Sequence, residues 1–392
     1  MNPSSPILQA WPAGEPSPDL LVIAGEASGD EHAARLIRGL RARRPDVRVA
    51  ALGGPALQAA GAQLLFDLSA HGVVGLMEVL KNYGFFKSVF DQTLAWIEKH
   101  QPRAVLLVDY PGFNLRLAKK LFDTGAAKKA GGKISLLYYI SPQIWAWKAK
   151  RRFTMAKYLD ALAVIFPFET ACFADTTLSV KFVGHPFAAL DHKSPVAYDP
   201  NGPILLLPGS RTAPVLRIFP KLLSGFAQFR QANPNAKAVT LFSGLAVRAE
   251  LEKQLAAHPN LAPHITLRAV EAGATGRMVL TSSGTMSLAC ALAGIPGAIV
   301  YRANPITYLV GRSVVNIPYL GIANILLGES AWPEFIQGDA QPAALAKRLT
   351  ECESPAAREH AATNAEKLRK LLGTSAPDAA AQWLDGKLEA RS

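Results

Sequence analysis

Short continuous apolar runs alternate along this chain with stretches whose apolar positions recur at helical spacing, three or four residues apart. The run Leu20–Ala24 comes first and is followed by a helical pattern over 32–43. The same succession recurs at 103–108 with 114–122, and at 134–140 with 145–157; runs at 161–166 and 180–183 complete the first half. Short apolar runs without internal alternation fit strands buried on both faces. Their succession with helices predicts a parallel sheet covered on each side.

The pattern breaks after Gly184-His185-Pro186. Residues 191–203 are polar, hold three prolines and show no periodicity, which predicts a linker. Alternation resumes with Ile204–Leu207, Ala238–Phe242, 278–281 and 298–301, and from Pro342 onward the pattern is helical alone. No repeat of fixed period is present. The predicted fold is α/β. Two Rossmann-like, doubly wound domains over 20–190 and 204–365 face an interdomain cleft, and a helical tail over 366–392 is placed to pack back on the first domain. Residues 1–19, rich in Pro and Ser, read as a disordered leader. Ligands of such sheets sit outside the carboxyl ends of the strands, so the loops there are where chemistry is expected.

At 392 residues the chain is too long for one ordinary core, in keeping with two domains. Its 49% hydrophobic and 18% charged residues describe a globular chain, not a disordered one. Lys and Arg outnumber Asp and Glu by 42 to 30, a net charge of +12 that favours an anionic partner: a phosphorylated substrate, an acidic phospholipid or a nucleic acid. Nucleic acid fits worst, because the basic residues are scattered and not interleaved with exposed aromatics. Cys172, Cys290 and Cys352 are far apart and form no CxxC pair, which argues against a zinc site or disulfide framework and fits a reducing compartment. The leader lacks the basic segment and apolar run of a signal peptide, and no apolar stretch reaches the ~20 residues of a spanning helix. Membrane contact would therefore be peripheral. The segment 73–90 supplies a candidate patch, with Val73, Leu76, Met77, Leu80, Phe85 and Phe86 beside Lys81 and Lys87. It suits an interfacial helix and a core helix equally, and the net charge tips the reading toward an anionic membrane surface.

Three loops are candidates for phosphate or sugar. Ala24-Gly25-Glu26-Ala27-Ser28-Gly29-Asp30 follows the first run; its glycines allow a tight turn, while Glu26 and Asp30 would repel a pyrophosphate, so an acceptor-sugar loop is the better functional reading. A plain strand–helix turn capped by Ser28 or Asp30 accounts for it as well. Leu207-Pro208-Gly209-Ser210-Arg211 offers close backbone approach at Gly209 and a planar guanidinium fork matched to phosphate oxygens at Arg211. Ser282-Ser283-Gly284-Thr285 offers hydroxyls and N–H groups ahead of an apolar helix, and no lysine follows in the manner of a nucleoside-triphosphate loop. The candidate general base is Asp109, at the end of an apolar run in Val108-Asp109-Tyr110-Pro111-Gly112-Phe113-Asn114. A turn or cap role explains Asp109 equally. For His185 a hinge or packing role is favoured.

Taken together, these segments resemble the lipid-A-disaccharide synthase family. Further matching stretches are Ile140-Ser141-Pro142-Gln143-Ile144-Trp145-Ala146-Trp147, Phe166-Pro167-Phe168-Glu169, Val183-Gly184-His185-Pro186, Tyr301-Arg302, Pro305 with Thr307 and Tyr308, and Asn324 with Gly328. The likeness is collinear from about Leu20 to the C-terminus, and Ser-Pro-x-x-Trp-Ala-Trp is its most specific part. The resemblance implies a GT-B fold and an inverting, metal-free and cofactor-free transfer. UDP-2,3-diacylglucosamine and 2,3-diacylglucosamine 1-phosphate would give a β-1,6 disaccharide and UDP, at the cytoplasmic face of the inner membrane. It implies Asp109 and Arg211 as the essential pair. Gly209, Ser210, Ser283, Gly284, Thr285 and Asn324 would lie around UDP, and Glu26, Ser28, Gly29, Asn114 and Trp145 around the acceptor sugar. A homodimer is left open. The chain departs from the family where Ala289 and Pro214 replace Glu, where Gly112 replaces Asp, and where Gly328-Glu329-Ser330 replaces Gly-Arg-Glu. Those departures keep two alternatives in view: a binding homologue without turnover, suggested by Ala289, and another GT-B UDP-sugar enzyme.

Overall fold

The computed structural model describes residues 8–71, 83–189, 192–304, 308, 317–373 and 378–389. They divide into two compact units, one drawn from Met1–Pro186 with Thr374–Ser392, the other from Phe187–Gly373.

The first unit is built on β1 (Leu20–Ala24), α1 (Ala27–Arg43), β2 (Val49–Gly53), α2 (Pro55–Ala59), β3 (Gln63–Asp67), α3 (Tyr83–His100), β4 (Ala104–Val108), α4 (Pro111–Asp123), β5 (Ser135–Tyr139), α5 (Arg151–Tyr158), β6 (Ala161–Val164) and β7 (Ser179–Phe182). Its strands lie in the order β3-β2-β1-β4-β5-β6-β7, all parallel. β1 and β4 are buried at every position, which is why they read as unbroken apolar runs. Asp30, in the first turns of α1, is buried and accepts from the backbone N–H groups of Gly54 (2.8 Å), Ala56 (2.9 Å) and Leu57 (3.2 Å). It thus caps the start of α2 and not its own helix.

The residues ahead of β1 are laid on this unit from Leu8 onward: Leu8 N–H donates to Gln92 Oε1 (3.0 Å), Gln9 N–H to Leu65 O (2.8 Å), and Trp11 meets Trp96 edge-on with ring centroids 6.4 Å apart. The final helix, α12 (Ala379–Glu389), also belongs here; its Asp385 carboxylate is held by Arg43 (3.0 Å), the last residue of α1, and by Arg44 just after it. Phe85 and Phe86 are half-buried and pack on the same core, Phe85 with Phe66 and His71 around it. Val73, Leu76, Met77 and Leu80 lie outside the described residues.

The second unit repeats the scheme. β9 (Ile204–Leu207), α6 (Thr212–Ala232), β10 (Ala238–Phe242), α7 (Leu245–Ala256), β11 (Ile265–Ala269), β13 (Met278–Ser282), α8 (Thr285–Leu292), β14 (Gly297–Tyr301), α9 (Ile322–Leu327), β15 (Glu334–Ile336), α10 (Pro342–Cys352) and α11 (Pro355–Leu372) give a parallel sheet in the order β11-β10-β9-β13-β14-β15. The stretch read as a linker contains a short strand, β8 (Val196–Tyr198), paired with β12 (Ala274–Gly276). Each sheet reverses its winding at one point, between β1 and β4 in the first and between β9 and β13 in the second. In doubly wound folds ligands bind there. Among the described residues no helix is long and apolar enough to cross a membrane.

Candidate active site

The loops singled out in the sequence fall, two and two, at these switch points. In the first unit Ala24 is paired with Val108, so the loop after β1 and the loop after β4 leave the sheet side by side. A Cβ added to Gly25 would lie 2.3 Å from the Tyr110 ring, so glycine is required there for the two loops to pack. Ser28 is exposed in the first turn of α1, and Gly29 is buried within that helix near Val108.

Asp109 and Tyr110 both hold left-handed backbone, with φ of 44° and 47°. Each costs on the order of 1–3 kcal/mol outside glycine, and such strain persists only where surrounding bonds over-determine it. Those bonds are present. Asp109 N–H donates to Tyr139 O (3.0 Å), and the Asp109 carbonyl accepts from the Tyr138 hydroxyl (2.6 Å) and from Asn114 Nδ2 (2.8 Å), which also reaches Val108 O (3.2 Å). Burial, reinforced by the Asp109 charge, pushes the Tyr138 hydroxyl well above the usual phenol range, so it stays a donor. The Asp109 carboxylate thus stands half-exposed on a fixed backbone. Asn114 is fully buried, and its contribution is to hold this turn. Gly112 in the next turn is exposed with open space around it, so a side chain would fit there.

Beside the turn lies an aromatic group: Trp145 edge-on to Phe168 (5.5 Å), Phe166 stacked on Phe168 (5.7 Å), and His185 against Phe166 (5.2 Å). His185 is buried, in keeping with a packing role. Glu169, 2% exposed, is set among these rings, and its carboxylate accepts from Phe166 N–H (3.0 Å). Burial pushes its pKa up to about 8, with the Asp109 charge acting in the same direction. The sequence reading missed Glu169, Tyr138 and Tyr110 as site components. The left-handed pair before Pro111 carries no mark in the sequence, since a residue ahead of proline is ordinarily extended.

The second switch point has the opposite character. Leu207 is paired with Thr281, so the loops after β9 and β13 are neighbours. Gly209 and Gly284 take φ of +122° and +142°, closed to other residues without strain. Gly209 sits against Ser282 and Pro214: a Cβ there would meet their side chains at 3.3 and 3.4 Å. Ser210 and Arg211 are exposed, with Arg211 at the N-cap of α6 and Ser210 O accepting from Ser243 Oγ (3.0 Å). Gly284 caps α8, leaving the exposed Thr285 in its first turn. Two helix N-termini, hydroxyls and a guanidinium make a set of donors suited to a diphosphate.

Ser283 Oγ donates to Leu320 O (2.7 Å), and the Glu334 carboxylate accepts from Leu320 N–H (2.8 Å) and Gly321 N–H (2.9 Å). Asn324 differs from expectation. Its side chain is fully buried and bonded to Trp332 (2.7 and 2.9 Å) and Glu334 (2.8 Å), so it fixes the 320–324 turn and presents no amide outward. Ala289 is buried within α8. Among the described residues no group of three His, Cys, Asp or Glu side chains is placed to hold a metal.

The profile of the lipid-A-disaccharide synthetase family matches residues 20–384. The chain belongs to that family. Lipid-A-disaccharide synthase 1 of Legionella pneumophila (strain Philadelphia 1) is 35% identical over 370 residues, covering 92% of this chain and 94% of its own. The synthase of Geobacter sulfurreducens is 33% identical over 367 residues, 91% of this chain and 93% of its own. Among solved structures the fold is similar to the glycotransferase of kitacinnamycin (TM-score 0.58, 16% identity, 95% of this chain and 100% of that one). It is also similar to UDP-GlcNAc 2-epimerase of Neisseria meningitidis (TM-score 0.57, 11% identity, 95% and 99%). These identities speak to fold alone, and the fold is GT-B. With the family come the activity class, a glycosyltransferase, and the process, formation of the lipid A disaccharide.

Proposed function

We propose that the chain transfers the 2,3-diacylglucosaminyl group of UDP-2,3-diacylglucosamine to the 6-hydroxyl of 2,3-diacylglucosamine 1-phosphate, with inversion. The observation that carries this reading is the contrast between the switch points, a rigidly presented carboxylate at one and a cluster of anion-binding donors at the other. Asp109 takes the proton of the acceptor 6-hydroxyl. The oxygen attacks the anomeric carbon in line, the bond to the diphosphate breaks, and UDP leaves with the electron pair. Arg211 and the N–H groups at Gly284 and Thr285 stabilise the negative charge that develops on the diphosphate. Ser28 and Trp145 border the Asp109 turn on the acceptor side. The acyl chains stay in an anionic membrane surface, at the inner face of the inner membrane, while the headgroups are processed.

The test is transfer of radiolabelled sugar from UDP-2,3-diacylglucosamine to diacylglucosamine 1-phosphate dispersed in detergent. Disaccharide and UDP are expected in equal amounts. UDP binding without disaccharide would make the chain the binding homologue that Ala289 suggests, and epimerisation of UDP-N-acetylglucosamine would make it another UDP-sugar enzyme.

A further inference from the structure

The connection from β5 to β6 carries a surface that neither loop pair uses. Residues 145–158 hold five cations, Lys148, Lys150, Arg151, Arg152 and Lys157, and no carboxylate. Within them α5 turns Met155 and Tyr158 into the first core. Its other face is formed by Lys150, Phe153, Thr154 and Lys157, at helical spacing and all exposed. Phe153 is 48% exposed and Trp147 43%, although rings of this size are ordinarily buried. Each lies under a cation: Lys148 Nζ is 4.3 Å from the Trp147 centroid, and the Arg152 guanidinium 4.3 Å from that of Phe153. Asp175 is engaged by Arg152 in a two-pronged ion pair (2.7 and 2.6 Å), so its charge is spent on Arg152 and not on the lysines. β5 pairs with β4, so this segment leaves the same carboxyl edge of the sheet as the Asp109 turn, one strand away.

We propose that Trp147 and Phe153, with Lys148, Lys150 and Lys157, form the surface by which the first domain rests on an anionic bilayer. The rings lie in the headgroup layer, where amphipathic and aromatic side chains are favoured, and the lysines lie on lipid phosphates. The proposal rests on the reading that the substrates are held by a bilayer, and it assigns the contact to residues outside the patch expected over 73–90. A bilayer docked there would present a lipid-borne sugar at the sheet edge from which Asp109 projects.

Two pairs of substitutions test it, one removing the rings (Trp147→Ser with Phe153→Ser) and one reversing charge (Lys148→Glu with Lys150→Glu). The readouts are co-sedimentation of the full chain with vesicles of phosphatidylcholine and phosphatidylglycerol, melting temperature, and disaccharide formation in detergent. The parent chain should bind these vesicles, release them at high salt, and bind pure phosphatidylcholine far less. Each pair should weaken vesicle binding about tenfold or more, with detergent activity and melting temperature held. Either pair folding normally and binding vesicles like the parent would overturn the proposal. So would variants that lose binding to a single-stranded RNA oligonucleotide but keep vesicle binding, which would make this a nucleic-acid surface. A parent chain inactive in detergent yet bound to vesicles would defeat the proposed reaction and leave this surface standing.

Discussion

The two domains share one strand order and one place where it reverses, yet what they build there is opposite in sign. At the end of β4 the first domain places Asp109 on a strained turn pinned from beneath by Tyr138 and Asn114. At the matching strand end, β13, the second places Ser282, Ser283 and the N-terminus of α8. At the end of β1 the first domain has a glycine filled by a tyrosine ring, whereas at the end of β9 the second has Gly209 followed by an exposed arginine. Topology supplies the location, and the side chains decide whether it presents a carboxylate or a set of outward donors. On the proposed reading, buried bonds hold the first turn still for a base, and the exposed loops of the second site direct their donors toward a departing diphosphate.

Removing the acid of the first site should have the largest effect. Asp109→Asn is expected to lower kcat by about 10²- to 10⁴-fold, the usual worth of a positioned general base. The bonds from Tyr138 and Asn114 go to the main-chain carbonyl of residue 109, and asparagine tolerates positive φ. Melting temperature and UDP affinity should therefore hold. Unaltered turnover would place the base elsewhere and dissolve the contrast. Next comes the cation of the second site. Arg211→Ala should cost about 10²- to 10³-fold in kcat/KM and weaken UDP binding. Arg211→Lys should recover only part, because an ammonium offers a point charge in place of a fork. Because Arg211 is exposed in extended backbone, stability should change by no more than about 0.5 kcal/mol. Full activity in Arg211→Ala would leave the diphosphate to the backbone N–H groups alone.

Much of this was legible in the sequence, for a definite reason. Strands buried on both faces leave unbroken apolar runs, so Leu20–Ala24 and Ile204–Leu207 stand out at their observed limits, and the loops after them with them. β2 and β3 were not read: β2 is Val-Ala-Ala-Leu-Gly, whose small residues make a weak apolar run, and β3 is only partly buried, so it carries polar residues at its ends. Side-chain partners at long separation left no local mark. Asp30 sits in a loop that invites a ligand reading, and only the fold shows its carboxylate on the start of α2. Asn324 matches a family position, while its bonds to Trp332 and Glu334 follow from a turn no periodicity announces. Phe153 and Trp147 sit in a segment rich in apolar residues; the exposure of Phe153 depends on which face of α5 meets the core, and that of Trp147 on the turn ahead of it.

The smallest expected effect probes a difference in burial between the two sites, and it concerns pH. Glu169 is buried beside the Asp109 turn, whereas the second site's carboxylate, Glu334, is ringed by backbone donors. Burial is the main cause of the rise of Glu169 to about 8; the N–H groups of Phe166 and Ile165 oppose it, as does the Trp145 indole N–H. Between the ordinary carboxyl value of 4.5 and about 8 the native chain holds a proton that the unfolded chain has released. Stability must then fall as pH rises through that window, because the native state binds more protons. Glu169→Gln removes the titration while keeping shape and an oxygen to accept from Phe166 N–H. Its melting temperature should match the parent near pH 5 and exceed it above pH 8, by about 2–4 °C for each kcal/mol relieved. A gap between the two that does not vary with pH would mean that Glu169 is already ionised in the folded chain, and the first site would then hold two charged carboxylates. Arg211→Ala supplies the control, since Arg211 is exposed and Glu334 only half-buried, and its melting curve should track the parent at every pH.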